Sequence, residues 1–178
     1  MRAVTIPVSG QSLQSLKAGE QILLSGPVAT ARDAAHNLML NTGSVPFDIK
    51  SIPIFYTGPS PAPPGHVIGA CGPTTSARME PFIPEMLKLG MKVVIGKGEM
   101  SDGTRKLFHQ YGAVYLAATG GAGALASTKI KSRRIVAWEH LGPEAVSILE
   151  LENFPVFVAW DLHHGNIFRR RAKSNDTE

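Results

Sequence analysis

The sequence is poor in residues that crosslink chains or hold metals. Cys71 is the only cysteine among 178 residues, so no internal disulfide can form. The several thiolates that an iron–sulfur cluster or a structural zinc takes are missing from this chain. The six histidines are scattered. Only His163 and His164 adjoin, at an expected strand end, whereas helix-borne metal sites space their ligands one turn apart, and no metal site is expected. No run of ~18 apolar residues is present to span a bilayer, and the opening MRAVTIPVSGQSLQSLKAGEQ has no sustained apolar stretch of a secretory signal. A soluble protein of the reducing cytoplasm, with no membrane partner, is the expectation.

Nucleotide loops are lacking too. Gly96-Lys97-Gly98 has neither the earlier glycine of a P-loop nor the Ser or Thr that follows its lysine. GGAGAL at 120–125 lacks GxGxxG spacing and a downstream acidic ribose ligand, and reads as a closely packing small-residue helix. The formal net charge of +4 gives little reason to expect nucleic acid. Arg169, Arg170, Arg171 and Lys173, against Asp176 and Glu178, place half of it in the last ten residues. That run reads as a solvated, disordered tail (169–178) behind a single domain (1–168).

What the sequence does have is punctuation. Eighteen glycines and thirteen prolines are spread along the chain, as expected of short elements joined by tight turns. Apolar runs rich in branched residues predict strands at 21–28, 52–56, 67–71, 92–95, 113–117, 135–138 and 155–160. Helical patterns are expected at 30–41, with Thr30 as N-cap, and within 72–90. Further helices are expected at 104–112, 120–128 and 143–151. This alternation argues for an α/β fold, a layered sheet with flanking helices.

Three strand-to-turn junctions each deliver a cation or hydroxyls beside small residues: Thr30-Ala31-Arg32, Gly72 to Arg78, and Gly96-Lys97-Gly98. Arginine offers a planar fork that matches a carboxylate, and lysine a point charge. Glycine lets backbone N–H groups approach the same oxygens. Two arginines and a lysine suit a dicarboxylate. Taken singly, each could equally bridge a surface carboxylate. His36, one helical turn behind Arg32, reads as a supporting residue.

GPTTSARM at 72–79 closely resembles the GPTT-x-x-RM signature of the β-type domain of class I fumarases and tartrate dehydratases. TARDAAH (30–36), IGKGEM (95–100), AATGGAGAL (117–125) and AWEHLGPEAV (137–146) are similar to further stretches of that family in the same order. The resemblance implies a swivelling β/β/α domain and reversible addition of water across a carbon–carbon double bond. It also implies an α-type partner subunit that ligates a four-iron four-sulfur cluster, and a higher αβ oligomer. Fumarate is the first substrate expected; tartrate, mesaconate, or dicarboxylate binding without chemistry are the alternatives. Matched position by position, Arg32, Arg78 and Lys97 correspond to carboxylate-binding cations. Thr74 corresponds to a threonine proposed as the proton-abstracting base. Thr75 is a further substrate-binding candidate, with Ser76 its rival. An ordinary hydroxyl is a weak base, so Thr74 would need neighbouring cations to stabilise its alkoxide, or a relay. Ala77, Glu80 and Glu99 stand where Gly, Asp and Gly are common, and DLHHGNIF is an unusual form of the D-x-x-GN stretch. These departures bear on substrate choice more than on reaction type.

Overall fold

A computed structural model describes residues 1–119 and 126–169. The described strands are β1 (Arg2–Thr5), β2 (Gln21–Thr30), β3 (Ile54–Phe55), β4 (Val93–Gly96), β5 (Val114–Ala117), β6 (Ile130–Ala137) and β7 (Val146–Trp160). The helices are α1 (Gly10–Ser15), α2 (Asp33–Thr42), α3 (Ile83–Lys88) and α4 (Asp102–Gln110), with 3-10 turns at Ser76–Phe82 and Glu139–Glu144. The expected α/β character is present.

β1 to β5 are neighbours in chain order and all parallel. The long β7 then runs antiparallel to both β5 and β2, so β2, β3, β4, β5 and β7 close into a barrel-like sheet. β1 extends it beside β2 and β6 beside β7. Closure removes exposed strand edges from the centre of the sheet.

Side-chain alternation splits the core in two. Phe55, Val93, Ile95, Val114 and Leu116 face one cluster with Leu24, Leu151 and Val158, capped by Leu13 and Leu16 around α1. The intervening Ile54, Tyr56, Val94 and Tyr115 face the opposite way. They pack with Met39 of α2, Met79 of the 3-10 turn, Ile83 and Met86 of α3, and Phe108 of α4. Helices α2, α3 and α4 therefore cover one face of the sheet, α1 packs against the other, and the strand ends are left to carry loops.

Several sequence expectations are corrected. Residues 67–71 form no strand. The proline-rich loop pairs with itself, Ser60 N–H donating to the Ala70 carbonyl at 3.0 Å and Gly69 N–H to the Ser60 carbonyl at 3.3 Å. Ile68 and Cys71 are buried all the same. The helix expected at 143–151 is instead the end of the second 3-10 turn and, from Val146, the first part of β7. Leu149 and Leu151 are buried while Glu150 and Glu152 are exposed, a period of two that sends each leucine into the core. The strand expected at 155–160 is the second half of β7, past Asn153 at φ 50°.

Thr30 is not a cap but the buried end of β2. Its hydroxyl donates to the Ala145 carbonyl at 3.3 Å and accepts from Ser147 N–H at 2.9 Å. The helix expected within 72–90 is a 3-10 turn followed by α3, with Pro84 in the first turn of α3. β1 and α1 carry signals too short to be read beforehand. Of the helix expected at 120–128, residues 120–125 lie outside the described residues, as does the tail from 170.

Candidate active site

The three junctions singled out in the sequence lie at adjacent strand ends. β2 ends at Thr30, and the chain passes through Ala31 to Arg32, the N-cap of α2 in extended conformation. Arg32 offers no side-chain cap, and Glu144 supplies one from the second 3-10 turn. One of its carboxylate oxygens accepts from Ala34 N–H at 2.9 Å, and the other lies 3.5 Å from the Arg32 guanidinium. Gly58 forms the opposite wall. A Cβ there would stand 3.0 Å from Cδ and Nη1 of Arg32, so any larger residue would crowd the guanidinium.

The GPTT segment is docked by its backbone. Thr74 N–H donates to the Tyr56 carbonyl at 2.7 Å and Ser76 N–H to the Lys97 carbonyl at 2.9 Å, and Lys97 N–H returns a bond to Ser76 Oγ at 2.9 Å. Thr75 thereby sits opposite Lys97 in an isolated parallel bridge. Ser76 is fully buried and also bonds the Tyr115 hydroxyl at 2.9 Å, which donates onward to the Gly98 carbonyl at 2.7 Å. Of the two rivals, Ser76 is spent on structure, while Thr75 is exposed. Gly96 makes the close approach possible, since a Cβ there would fall 2.0 Å from Ser76 Oγ.

The 3-10 turn then carries Arg78 back over α2. Its guanidinium lies 3.0 Å from Asp33 Oδ2, and the Arg32 guanidinium lies 4.0 Å from that same oxygen. The two arginines thus converge on one carboxylate. Arg32 is the more enclosed, with 24% of its side chain exposed against 53% for Arg78, and Arg32 Nε is buried without a hydrogen-bond partner among the described residues. Arg32, Thr74, Thr75, Arg78 and Lys97 all lie on this one rim of the sheet. The hydroxyl of Thr74 and the ammonium of Lys97 have no hydrogen-bond or ion-pair partner among the described residues.

His36 lies beneath the rim. Its Nδ1 is 2.7 Å from the Arg32 carbonyl, and its ring stacks on Phe82 and meets Tyr56 edge-on. It therefore touches the segments that bear Arg32 and Arg78, and the tyrosine whose carbonyl holds the Thr74 N–H. Burial lowers its pKa below the usual imidazole range, with the Arg32 carbonyl and the charges of Asp33 and Glu144 opposing in part. Burial likewise pushes the Tyr56 phenol upward.

Cys71 is fully buried beside Thr57, 3.5 Å from its hydroxyl. Burial raises its thiol to about 11 despite that hydrogen bond and the Arg133 charge. A lone, enclosed thiol does not fit an iron–sulfur cluster, whose ligands are several thiolates. No group of three or more His, Cys, Asp or Glu suited to a metal occurs among the described residues.

Sequence reading missed the supporting shell. Asp33 lies within TARDAAH, but nothing in that stretch marks it as the partner of Arg78. Glu144 and Tyr115 gave no local signal, since they reach the site from distant parts of the chain.

The model for the Fumarase C-terminus family matches residues 2–171. The chain belongs to that family. It is 38% identical, over 173 residues, to the putative L(+)-tartrate dehydratase subunit beta of Methanocaldococcus jannaschii, covering 92% of this chain and 89% of that one. It is 31% identical over 178 residues to the L(+)-tartrate dehydratase subunit beta of Escherichia coli, covering 97% and 89%. Fumarate hydratase 1, mitochondrial, of Leishmania major is 38% identical over 164 residues, which are 89% of this chain but 30% of that protein. Among the described residues no helix is long and apolar enough to cross a membrane.

Proposed function

We propose that this chain is the β subunit of a two-subunit iron–sulfur hydro-lyase, acting as a fumarate hydratase that interconverts fumarate and L-malate. The observation that carries the proposal is the convergence of Arg32 and Arg78 on one carboxylate oxygen, with Lys97 held across from Thr75. In this reading Arg32 and Arg78 bind one substrate carboxylate through their forked donors and Lys97 neutralises the other. Thr75 adds a hydrogen bond. Thr74 holds or moves the proton at the substrate carbon, its alkoxide stabilised by those cations.

The four-iron four-sulfur cluster belongs to an α-type partner, in keeping with a single enclosed cysteine here. Residues 1–168 act as one cytoplasmic domain that swivels over the partner, and the αβ pairs assemble further. The second reading is tartrate dehydratase. It is favoured by the names of the two relatives that match this chain in length, at 89% of each. Mesaconate hydration and dicarboxylate binding without chemistry are weaker rivals. A pocket distinguishes a methyl or hydroxyl by only roughly 1–3 kcal/mol, so small changes around a constant set of cations can retune the substrate.

The test is anaerobic turnover of fumarate, mesaconate and tartrate by the chain alone and with its cluster-reconstituted partner. Partner-dependent turnover identifies the substrate. Binding of a dicarboxylate by the chain alone, with no turnover in the intact complex, would instead indicate a binding module.

A further inference from the structure

Resting on that reading, we propose that Asp33 is a positioning residue of the dicarboxylate site, tying Arg78 beside Arg32 so that both guanidinium groups receive one substrate carboxylate together. Arg78 stands on a 3-10 turn with 53% of its side chain exposed, and Asp33 is its ion-pair partner at 3.0 Å. A long side chain so exposed samples many rotamers, and each excursion removes it from the site. Arg32 needs no such tether, being enclosed by Gly58 and Glu144.

Asp33 is itself well placed to hold a fixed position. It is the first residue of α2, whose next N–H is bonded by Glu144, so its backbone is held from the second 3-10 turn. Its Oδ2 engages Nη2 of Arg78, and lies 4.0 Å from Nη2 of Arg32. A guanidinium has five N–H donors, so one terminal nitrogen given to Asp33 leaves each fork with donors for a ligand. The anion thus orients Arg78 beside Arg32 without consuming either fork.

Steady-state kinetics of the intact, cluster-reconstituted two-subunit enzyme test this, using fumarate, or tartrate if the wild type turns over only that. The variants are Asp33→Ala, the near-isosteric Asp33→Asn, Arg78→Ala and the double variant Asp33→Ala/Arg78→Ala, with melting temperatures measured for all. The expected result for Asp33→Ala is a KM raised about fivefold, the scale of one partly exposed ion pair, with kcat held within about twofold. Asp33→Asn falls between it and wild type, and the KM effect disappears in the Arg78→Ala background. An unchanged KM, or an equal rise with and without Arg78, overturns the assignment. A lowered KM also overturns it, because Asp33 would then be competing with substrate. A wild-type enzyme with no dicarboxylate turnover and no dicarboxylate-dependent thermal shift fails the functional reading, and the assignment falls with it. An active wild type with an unaffected Asp33→Ala variant fails this assignment alone.

Discussion

Ser76 and Lys97 hold one another by two reciprocal hydrogen bonds of 2.9 Å, the Ser76 N–H to the Lys97 carbonyl and the Lys97 N–H to Ser76 Oγ. This exchange fixes the threonine segment against the end of β4, and it depends on the absent side chain of Gly96. Adding one carbon there would force Ser76 and Tyr56 apart, with contacts of 2.0 Å and 3.2 Å. Gly96→Ala is expected to cost about 1–3 kcal/mol through overpacking, lowering the melting temperature by roughly 2–4 °C for each kcal/mol. It should also cut turnover of the complex far more than Ser76→Ala does. Thermal melts and kinetics of both variants check this, and an unperturbed Gly96→Ala contradicts it.

Glu80 links the turn that carries Arg78 to the helix that follows Lys97. Its carboxylate accepts from Ser101 N–H at 3.1 Å and from the hydroxyls of Ser101 and Thr104, at the N-terminus of α4. Burial pushes its pKa up, but these hydrogen bonds outweigh it and hold the group below the usual carboxylate range. The folded-state pKa is thus depressed, so the stabilisation is fully present above the unfolded value of about 4.3 and fades as pH falls through the folded one. Denaturant unfolding between pH 7 and pH 3 should show Glu80→Gln losing less stability on acidification than the wild type. Parallel pH profiles would count against the bonded carboxylate.

Cys71 should be inert in the folded chain. Its thiol is fully buried and pushed up to about 11, whereas nucleophilic attack needs an accessible thiolate. Alkylation by iodoacetamide at pH 8 is expected to be slower by at least about 100-fold in the native chain than in denaturant, read by intact-mass spectrometry. Rapid native labelling would show that the loop at 57–72 opens readily.

The site was more legible in the sequence than the fold. TARDAAH, GPTTSARM and IGKGEM announce themselves because an anion site needs cations, hydroxyls and glycines within a few residues of one another, and such groups are written locally. The structure gathers Arg32, Thr74, Thr75, Arg78 and Lys97 on one rim. The closing of the sheet was not legible, because it depends on β7 pairing with β2 across more than a hundred residues. Residues 143–151 resemble a helix in composition, and only the burial of Leu149 and Leu151 between exposed glutamates declares a strand. The strand expected at 67–71 was read from its apolar residues, but a loop rich in proline and glycine satisfied its own backbone instead. Asp33 and Glu144 stayed hidden because an ion pair to a distant arginine leaves no periodic trace.

The most direct measurement is substrate turnover by the reconstituted αβ complex carrying Arg78→Ala, compared under anaerobic conditions with wild type and with the chain alone. Loss of a charge-assisted bidentate contact made in binding and in the transition state should reduce kcat/KM by roughly 100-fold or more, with the melting temperature within about 2 °C of wild type because Arg78 is half exposed. The chain alone should show no turnover. Full activity of Arg78→Ala in an intact, cluster-loaded complex would contradict the claim that this chain supplies the cations of a shared dicarboxylate site.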